Sequence, residues 1–282
     1  MNTSLLKTLG SLTFTALILA CLPGSAGAAS ALDDGIASYR RGNFAASAQT
    51  LQPLAQQGNA TAKYLLSCQM INGIGIEADQ KAGWTMLESA ANSGNADAQI
   101  LLARRMEALN APHDDIRALY EQAATQNHSQ ALLWLALDEI AQDDRPAAKA
   151  HLQTAWHGGD PRAATLLATQ FAAEIDNPDK LLQAAAQKGE MRAAAHLADR
   201  AQQAENYVKS VGWCAIASGL PGHAANVNWA DIGVAIEKTC ARYDEDLQPA
   251  ARAQNRNNVD EFLAGFFREY EPWTPWRPCT VR

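Results

Sequence analysis

Cysteine, histidine and acidic side chains are the groups in this sequence that could support catalysis or hold a metal ion. The six histidines belong to no His-Glu-x-x-His or Cys-x-x-Cys motif. His151 and His157 are six residues apart, a spacing that does not place two side chains on the same face of a helix. The acidic runs at 33–34 and 244–246 lack the spacing of a calcium-binding loop. The sequence therefore predicts no metal site and no cofactor.

The sequence also lacks the signs of a nucleophilic or phosphate-binding enzyme. No serine or cysteine has a recognisable base partner nearby in the sequence. Gly73 and Gly75 form a Gly-x-Gly pair, but no strand precedes the pair and no third glycine follows it, so a turn between helices is the better interpretation. We expect a protein that is not an enzyme and has no catalytic residues; a hydrolase of the cell envelope is the rival class.

The first 28 residues have the features of an export signal. Lys7 is the only charged residue before Asp33, residues 9–20 form a short apolar run, and small residues at 26–28 suit cleavage. A bacterial lipobox at 18–21 is the alternative, in which Cys21 is acylated. We expect a periplasmic protein that begins near Ala29, or a lipoprotein anchored through Cys21. In both cases the mature chain has no transmembrane span.

Overall composition favours helices and excludes one class of partner. The chain is rich in alanine and poor in β-branched residues, which favours helix. Its formal net charge is −7, and no cluster of lysine and arginine stands out. Because neutralisation of phosphates drives binding to nucleic acids, we expect no nucleic-acid partner.

A repeated pattern organises most of the chain. The twelve residues QQGNATAKYLLS at 56–67 recur as NSGNADAQILLA at 92–103. Five register anchors, 30 to 36 residues apart, mark the repeat: Gly58, Gly94, Asn127, Gly159 and Gly189. An alanine follows each anchor by four residues and a leucine by eight: Ala62, Ala98, Ala131, Ala163 and Ala193, then Leu66, Leu102, Leu135, Leu167 and Leu197. Periods of this length are typical of stacked two-helix units, so these residues are expected to pack between helices.

The pattern divides the chain into four parts. After the signal peptide at 1–28, about six helix-turn-helix repeats occupy 29–222. Residues 223–270 are predicted to form a helical cap, and 271–282 to form an extended tail because its prolines exclude helix. The fold class is therefore all-α, a stack in which neighbouring units bury each other's apolar faces.

The second unit resembles the Sel1-like repeat, a relative of the tetratricopeptide repeat. Its sequence GIGIEADQKAGWTMLESAANSGN contains the Gly-x-Gly turn, an aspartate, Lys-Ala, an aromatic residue, paired alanines and a closing glycine that are typical of that family. The resemblance covers about residues 31–222, although the third to sixth units lack the Gly-x-Gly turn. It implies a right-handed α-solenoid that binds proteins. Bacterial members act as envelope scaffolds, as regulators of sensor kinases or as immunity proteins against secreted toxins.

Four cysteines beyond the signal segment suggest disulfides in an oxidising compartment. Cys68 lies about four repeats from the others, roughly 40 Å if each repeat adds about 10 Å, so we expect it to be free and buried. One bridge is expected among the other three. Cys214–Cys279 is the predicted pair, and Cys240–Cys279 is the alternative.

Aromatic residues are the remaining candidates for binding a protein or peptide partner in the envelope. Tyr64 and Trp134 fall on the first helix of their units. Trp273 and Trp276 lie in the proline-rich tail, where they either pack back on the cap or face a partner. Exposed aromatic side chains are enriched in interface hot spots.

Overall fold

The computed structural model describes residues 25–217, 249–268 and 278–279, and within them it contains helices and no strand. The first helices of the repeats, the A helices, are α1 (Ser25–Arg40), α3 (Ala60–Asn72), α5 (Ala96–Ala108), α7 (Ser129–Ala141), α9 (Pro161–Gln170) and α11 (Met191–Gln203). The second helices, the B helices, are α2 (Phe44–Gln56), α4 (Gln80–Asn92), α6 (His113–Ala124), α8 (Arg145–His157), α10 (Pro178–Gln187) and α12 (Tyr207–Ala217). A 3₁₀ turn (Ala172–Glu174) follows α9, and α13 (Pro249–Arg268) follows the repeats.

Each helix packs on its neighbours in sequence, as a repeat stack requires. The A and B helices of one repeat contact each other, and each B helix contacts the A helix of the next repeat. The predicted all-α solenoid is confirmed. Its core runs along the stack in four successive clusters of buried residues.

The five register anchors explain why the chain repeats the same letters. Each anchor adopts a positive φ, between 56° at Asn127 and 94° at Gly58, and so ends a B helix. Glycine reaches this left-handed conformation without a steric penalty, and asparagine tolerates it. The following asparagine then caps an A helix: the side chains of Asn59 and Asn95 accept hydrogen bonds from the backbone N–H groups of Ala62 (2.9 Å) and Ala98 (2.8 Å).

The Gly-x-Gly pair is a structural turn. Gly73 and Gly75 both have positive φ, at 66° and 76°. A Cβ at Gly75 would lie 2.4 Å from the backbone of Phe44, so the turn also requires glycine in order to pack against the start of α2. Asp79 then caps α4 by accepting a hydrogen bond of 2.9 Å from Ala82 N–H.

The repeated alanines and leucines lie at the helix contacts. All five alanines are completely buried, and four of the leucines are no more than 4% exposed. Leu102 differs, because its side chain is only partly buried.

The C-terminal helix α13 packs on the last repeat. The rings of Phe262 and Phe266 lie edge-on to Trp213 of α12, with centroids 5.1 and 5.6 Å away. Gly212 allows this approach, since a Cβ there would lie 2.3 Å from the ring of Phe262. The rest of the predicted cap lies outside the described residues. No helix in the described part of the chain combines the length and the apolar character that a bilayer span needs.

The predicted disulfide pairing is wrong. Cys279 is bonded to Cys68, with 5.6 Å between their Cα atoms. Cys214 is also disulfide-bonded, and its partner therefore lies outside the described residues. Both predicted pairs of Cys279 are excluded, and Cys68 is not a free thiol. The 11 residues from Arg268 to Cys279 can extend about 36 Å, a reach comparable to the four repeats that were expected to keep Cys68 apart.

Candidate functional site

The candidate site is a line of residues on the open side of the A helices, which we call the A-helix stripe. Residues three, seven and ten positions after each register anchor lie on one side of an A helix, because a helical turn takes 3.6 residues. On α5, α7, α9 and α11 all of these side chains are at least partly exposed, while most of their helix neighbours are buried. The stripe consists of Asp97, Leu101, Arg104, Gln130, Trp134, Leu137, Arg162, Leu166, Thr169, Arg192, His196 and Asp199.

The middle of the stripe is apolar. Leu137 is 51% exposed, which is unusual for a leucine in a packed helix. Leu101, Trp134 and Leu166 hold the seventh position after the anchors on α5, α7 and α9 and are partly exposed. An apolar centre with charged and polar residues around it is the typical composition of a protein-binding surface.

Trp134 is fixed in the stripe by contacts with two neighbouring helices. Its ring stacks on Tyr120 with centroids 4.3 Å apart, and its Nε1–H donates a hydrogen bond of 2.5 Å to Glu107. Burial, followed by the charge of Glu107, raises the pKa of Tyr120. The ring therefore packs between repeats and leaves part of its surface exposed. A role for Trp134 in binding stays a prediction.

On α3 two of the three equivalent positions are covered, while Thr61 is partly exposed. Leu65 and Cys68 are completely buried, and Cys279 lies on this part of the helix, bonded to Cys68. Its backbone N–H donates to the Tyr64 hydroxyl (2.8 Å), and its carbonyl accepts from the Tyr39 hydroxyl (2.8 Å).

Asn72 completes the surroundings of Cys279, with its amide nitrogen 4.0 Å from the sulfur of that residue. We call the group Tyr39, Tyr64, Cys68 and Asn72 the Cys279 site. Cys279 itself has φ 60°, a conformation that is rare for a residue with a side chain.

The prediction that Tyr64 faces a partner needs correction. Tyr64 is 1% exposed, and its hydroxyl is bonded to the chain's own residue 279. Burial raises its pKa, and burial likewise raises the pKa of Tyr39. Trp273, Trp276, Cys240 and Cys21 lie outside the described residues.

The sequence register contained a signal for the position of Cys68. Counting ten residues from the other anchors gives Arg104, Leu137, Thr169 and Asp199, all of them at least partly exposed. The register therefore places Cys68 on the open side of its helix. A buried residue at an open position indicates that another part of the chain covers it. No comparable signal in the sequence identifies Tyr39 as a residue that contacts Cys279.

A charged network joins α6, α7 and α8 away from the stripe. The side chain of Glu139 is 4% exposed, and its two oxygens contact His151 Nδ1 (2.8 Å) and Arg117 (3.5 Å). Arg117 also pairs with Asp138. Because both oxygens of Glu139 have partners on adjacent helices, the network holds two repeats together. No group of three or more possible metal ligands occurs within the described residues.

Two clefts lie at equivalent places between successive B helices. One, of about 440 Å³, opens beside the charged network between α6 and α8. The other, of about 540 Å³, lies between α2 and α4 and is lined by Lys63 and Lys81. Lys63 donates a hydrogen bond of 3.0 Å to Ser89 across it. Their repetition indicates that these clefts arise from the packing of the repeats.

Comparison with solved structures identifies similar architectures. The chain is similar to a Sel1 repeat protein from Oxalobacter formigenes, with 20% identity and a TM-score of 0.60, over 83% of this chain and 99% of that protein. It is also similar to a protective antigen of uropathogenic Escherichia coli strains that displays an SLR fold, with 17% identity, a TM-score of 0.51 and 86% of this chain covered. This chain spans 62% of the length of the antigen. No family model and no curated protein sequence matches the chain.

Proposed function

Because the chain has the Sel1-like repeat fold, we propose that it is a binding scaffold that holds a segment of another protein along the A-helix stripe. One observation carries the proposal. On α5 to α11 the stripe residues are at least partly exposed, whereas on α3 two of the three equivalent residues, Leu65 and Cys68, are buried, and Cys68 is bonded to Cys279 of the chain's own tail. The A-helix side of this stack thus already accommodates a segment that is not part of a repeat.

We further propose that the protein works in the cell envelope. The export features at 1–28 support this. The disulfide between Cys68 and Cys279 and the separate disulfide of Cys214 support it too, since disulfides persist in oxidising compartments. Mass analysis of the native protein distinguishes a free periplasmic protein that begins near Ala29 from a lipoprotein that begins at acylated Cys21. An intact Met1 on protein recovered from the cytoplasm contradicts both.

Within the binding class, a scaffold or adaptor is our first proposal. An immunity or regulatory protein that inhibits a secreted toxin or a sensor is the alternative. For the hydrolase alternative, one candidate pair beside a cleft is the buried Glu139 and the partly exposed His151. The lining of that cleft contains Thr125 and Thr154 but neither serine nor cysteine, and both oxygens of Glu139 are already paired.

Two exposed leucines provide a matched test of the stripe. Leu137 (51% exposed) lies on the stripe, whereas Leu109 (67% exposed) ends α5 and lies off it. Leu137→Asp places a charge at the apolar centre, and we expect it to reduce partner retention at least tenfold, as loss of an interface hot spot does. Leu109→Asp adds the same charge elsewhere and should leave retention unchanged.

The measurement is affinity capture from envelope extract with the wild-type protein and both variants, followed by quantitative mass spectrometry. Proteins retained by wild type and Leu109→Asp but lost from Leu137→Asp are partners that use the stripe. Identical retention by all three proteins contradicts the proposal. Both positions are exposed, so circular dichroism should show the same folded protein in each case.

A further inference from the structure

The Cys279 site binds the main chain of its occupant as well as its side chain. The Tyr64 hydroxyl accepts from the N–H of residue 279, and the Tyr39 hydroxyl donates to its carbonyl. Residue 279 thus has its backbone donor and its backbone acceptor satisfied by two side chains from different A helices. Hydrogen bonds of this kind do not depend on the side chains of the segment that is bound, and main-chain hydrogen bonds are a general source of affinity in peptide binding.

The site also accepts one particular side chain. Cys68 occupies the stripe position that is exposed on the other A helices, and its sulfur bonds the cysteine of the occupant. Tyr39, Tyr64 and Cys68 belong to one buried cluster of α1–α4, against which Cys279 packs. The helices that form the site are therefore held by the core of the first two repeats and do not depend on the occupant alone.

We propose that this site recognises a peptide segment that carries a cysteine, that residue 279 fills it in the oxidised chain, and that reduction makes it available to such a segment of a partner protein. The inference rests on the proposed use of the A-helix stripe for binding. It adds that the ligand at the Cys279 site carries a cysteine, and that the site is free to bind it only when the disulfide is reduced.

The reduction needs a dithiol as its co-reactant. The dithiol transfers two electrons and two protons to the Cys68–Cys279 bond; the sulfur–sulfur bond breaks, two thiols form on the protein, and the dithiol becomes a disulfide. Residue 279 is then held without a covalent bond, by the hydrogen bonds of Tyr39 and Tyr64 and by packing on the buried cluster, against which a segment of a partner can compete.

The test uses the full chain with Cys279→Ser, which leaves the Cys68 thiol unbonded. The probe is a synthetic peptide with the sequence of residues 271–282, whose cysteine carries thionitrobenzoate as a mixed disulfide. The thiolate of Cys68 attacks the sulfur of the peptide, a Cys68–peptide disulfide forms, and the coloured thionitrobenzoate anion leaves. A peptide of the same sequence whose cysteine nitrogen is methylated, and so cannot donate to the Tyr64 hydroxyl, is the control. The Cys68→Ser/Cys279→Ser protein gives the background rate.

We expect the tail peptide to react about fivefold faster than the N-methylated peptide, which lacks one hydrogen bond. Adding Tyr39→Phe or Tyr64→Phe should each lower that rate about fivefold, the effect of one lost hydrogen bond of about 1 kcal/mol. Oxidised wild-type protein should not react above the background. Equal rates for the two peptides overturn the inference, and so does a wild-type protein whose Cys68–Cys279 bond joins two copies on non-reducing electrophoresis.

A second measurement needs no cysteine variant. Wild-type, Tyr39→Phe and Tyr64→Phe proteins are reduced with dithiothreitol, and the appearance of free Cys279 is followed by alkylation and mass spectrometry. Loss of either hydroxyl should speed release several-fold, whereas unchanged release contradicts the role of the tyrosines. Failure of either measurement leaves the Leu137 and Leu109 comparison intact, so the two proposals can fail separately.

Discussion

Individual leucines of the repeat register differ in burial, although each lies eight residues after its anchor. Leu135 is 1% exposed and lies in the cluster formed by the third and fourth repeats, whereas its counterpart Leu102 is only partly enclosed. The alanine–leucine register predicts which side of a helix faces the core. It does not predict how completely the neighbouring repeat covers each position, because that depends on the side chains that the neighbour supplies.

Leu135→Ala should therefore lower the free energy of unfolding by about 2–5 kcal/mol, the cost of a large-to-small change in a packed core. Leu102→Ala should cost clearly less, since part of that side chain is already in water. Urea unfolding of the two variants and the wild type measures both. Equal costs, or a cost below about 1 kcal/mol for Leu135→Ala, would show that the register does not define the core.

At the scale of the helices, the sequence predicts the boundaries best, because each boundary is set by a few adjacent residues. The anchors end the B helices, and Asn59, Asn95 and Asp160 cap the A helices that follow. The later repeats have helix boundaries at the same places, but the residues at the N-cap positions are less suited to capping. His128 makes no side-chain cap, and Glu190 caps α11 through a longer side chain.

Glu190 is consequently a place where a substitution should stabilise the protein. Burial raises the pKa of Glu190, which means that the folded state disfavours its charged form. Glu190→Asn removes the charge and introduces the residue used at Asn59 and Asn95. We expect a gain of about 0.5–1 kcal/mol near pH 7, the usual size of an N-cap effect.

The pH dependence gives the control for this variant. Because the pKa of Glu190 is higher in the folded protein, the wild type gains stability as pH falls through that value, when the carboxyl group takes up a proton. The advantage of Glu190→Asn should therefore shrink in acid. Thermal unfolding of both proteins across pH 4–7 measures it, and an advantage that grows in acid would contradict the assignment of the shift to burial.

At the scale of the whole molecule, the sequence predicts the stack of repeats but not the disulfide that links the tail to the second repeat. A repeat contacts mainly its neighbours, so a local pattern is enough to predict the order of contacts. The bond between Cys68 and Cys279 joins residues 211 positions apart, and no local pattern contains that information. It depends on which distant parts of the chain come together in the folded protein.

Removal of the bond should weaken the whole stack. Cys279→Ser is expected to lower the free energy of unfolding by about 2–5 kcal/mol, since a bridge across a long loop restricts the unfolded chain most. The unfolding transition should also broaden, because the first repeats would lose their connection to the tail. Urea unfolding of the variant and of oxidised wild type measures both effects; coincident curves would show that the bond is unimportant for stability.

The same disulfide makes a covalent ring out of most of the chain. Residues 68 to 279 form a closed ring, and every connection between helices from Gly73 onwards lies within it. A protease that cuts one of these loops opens the ring but releases no fragment, because the two pieces stay linked through the sulfurs. A protein with this connectivity loses no part of its chain after a single cut and does so only after a second cut or after reduction.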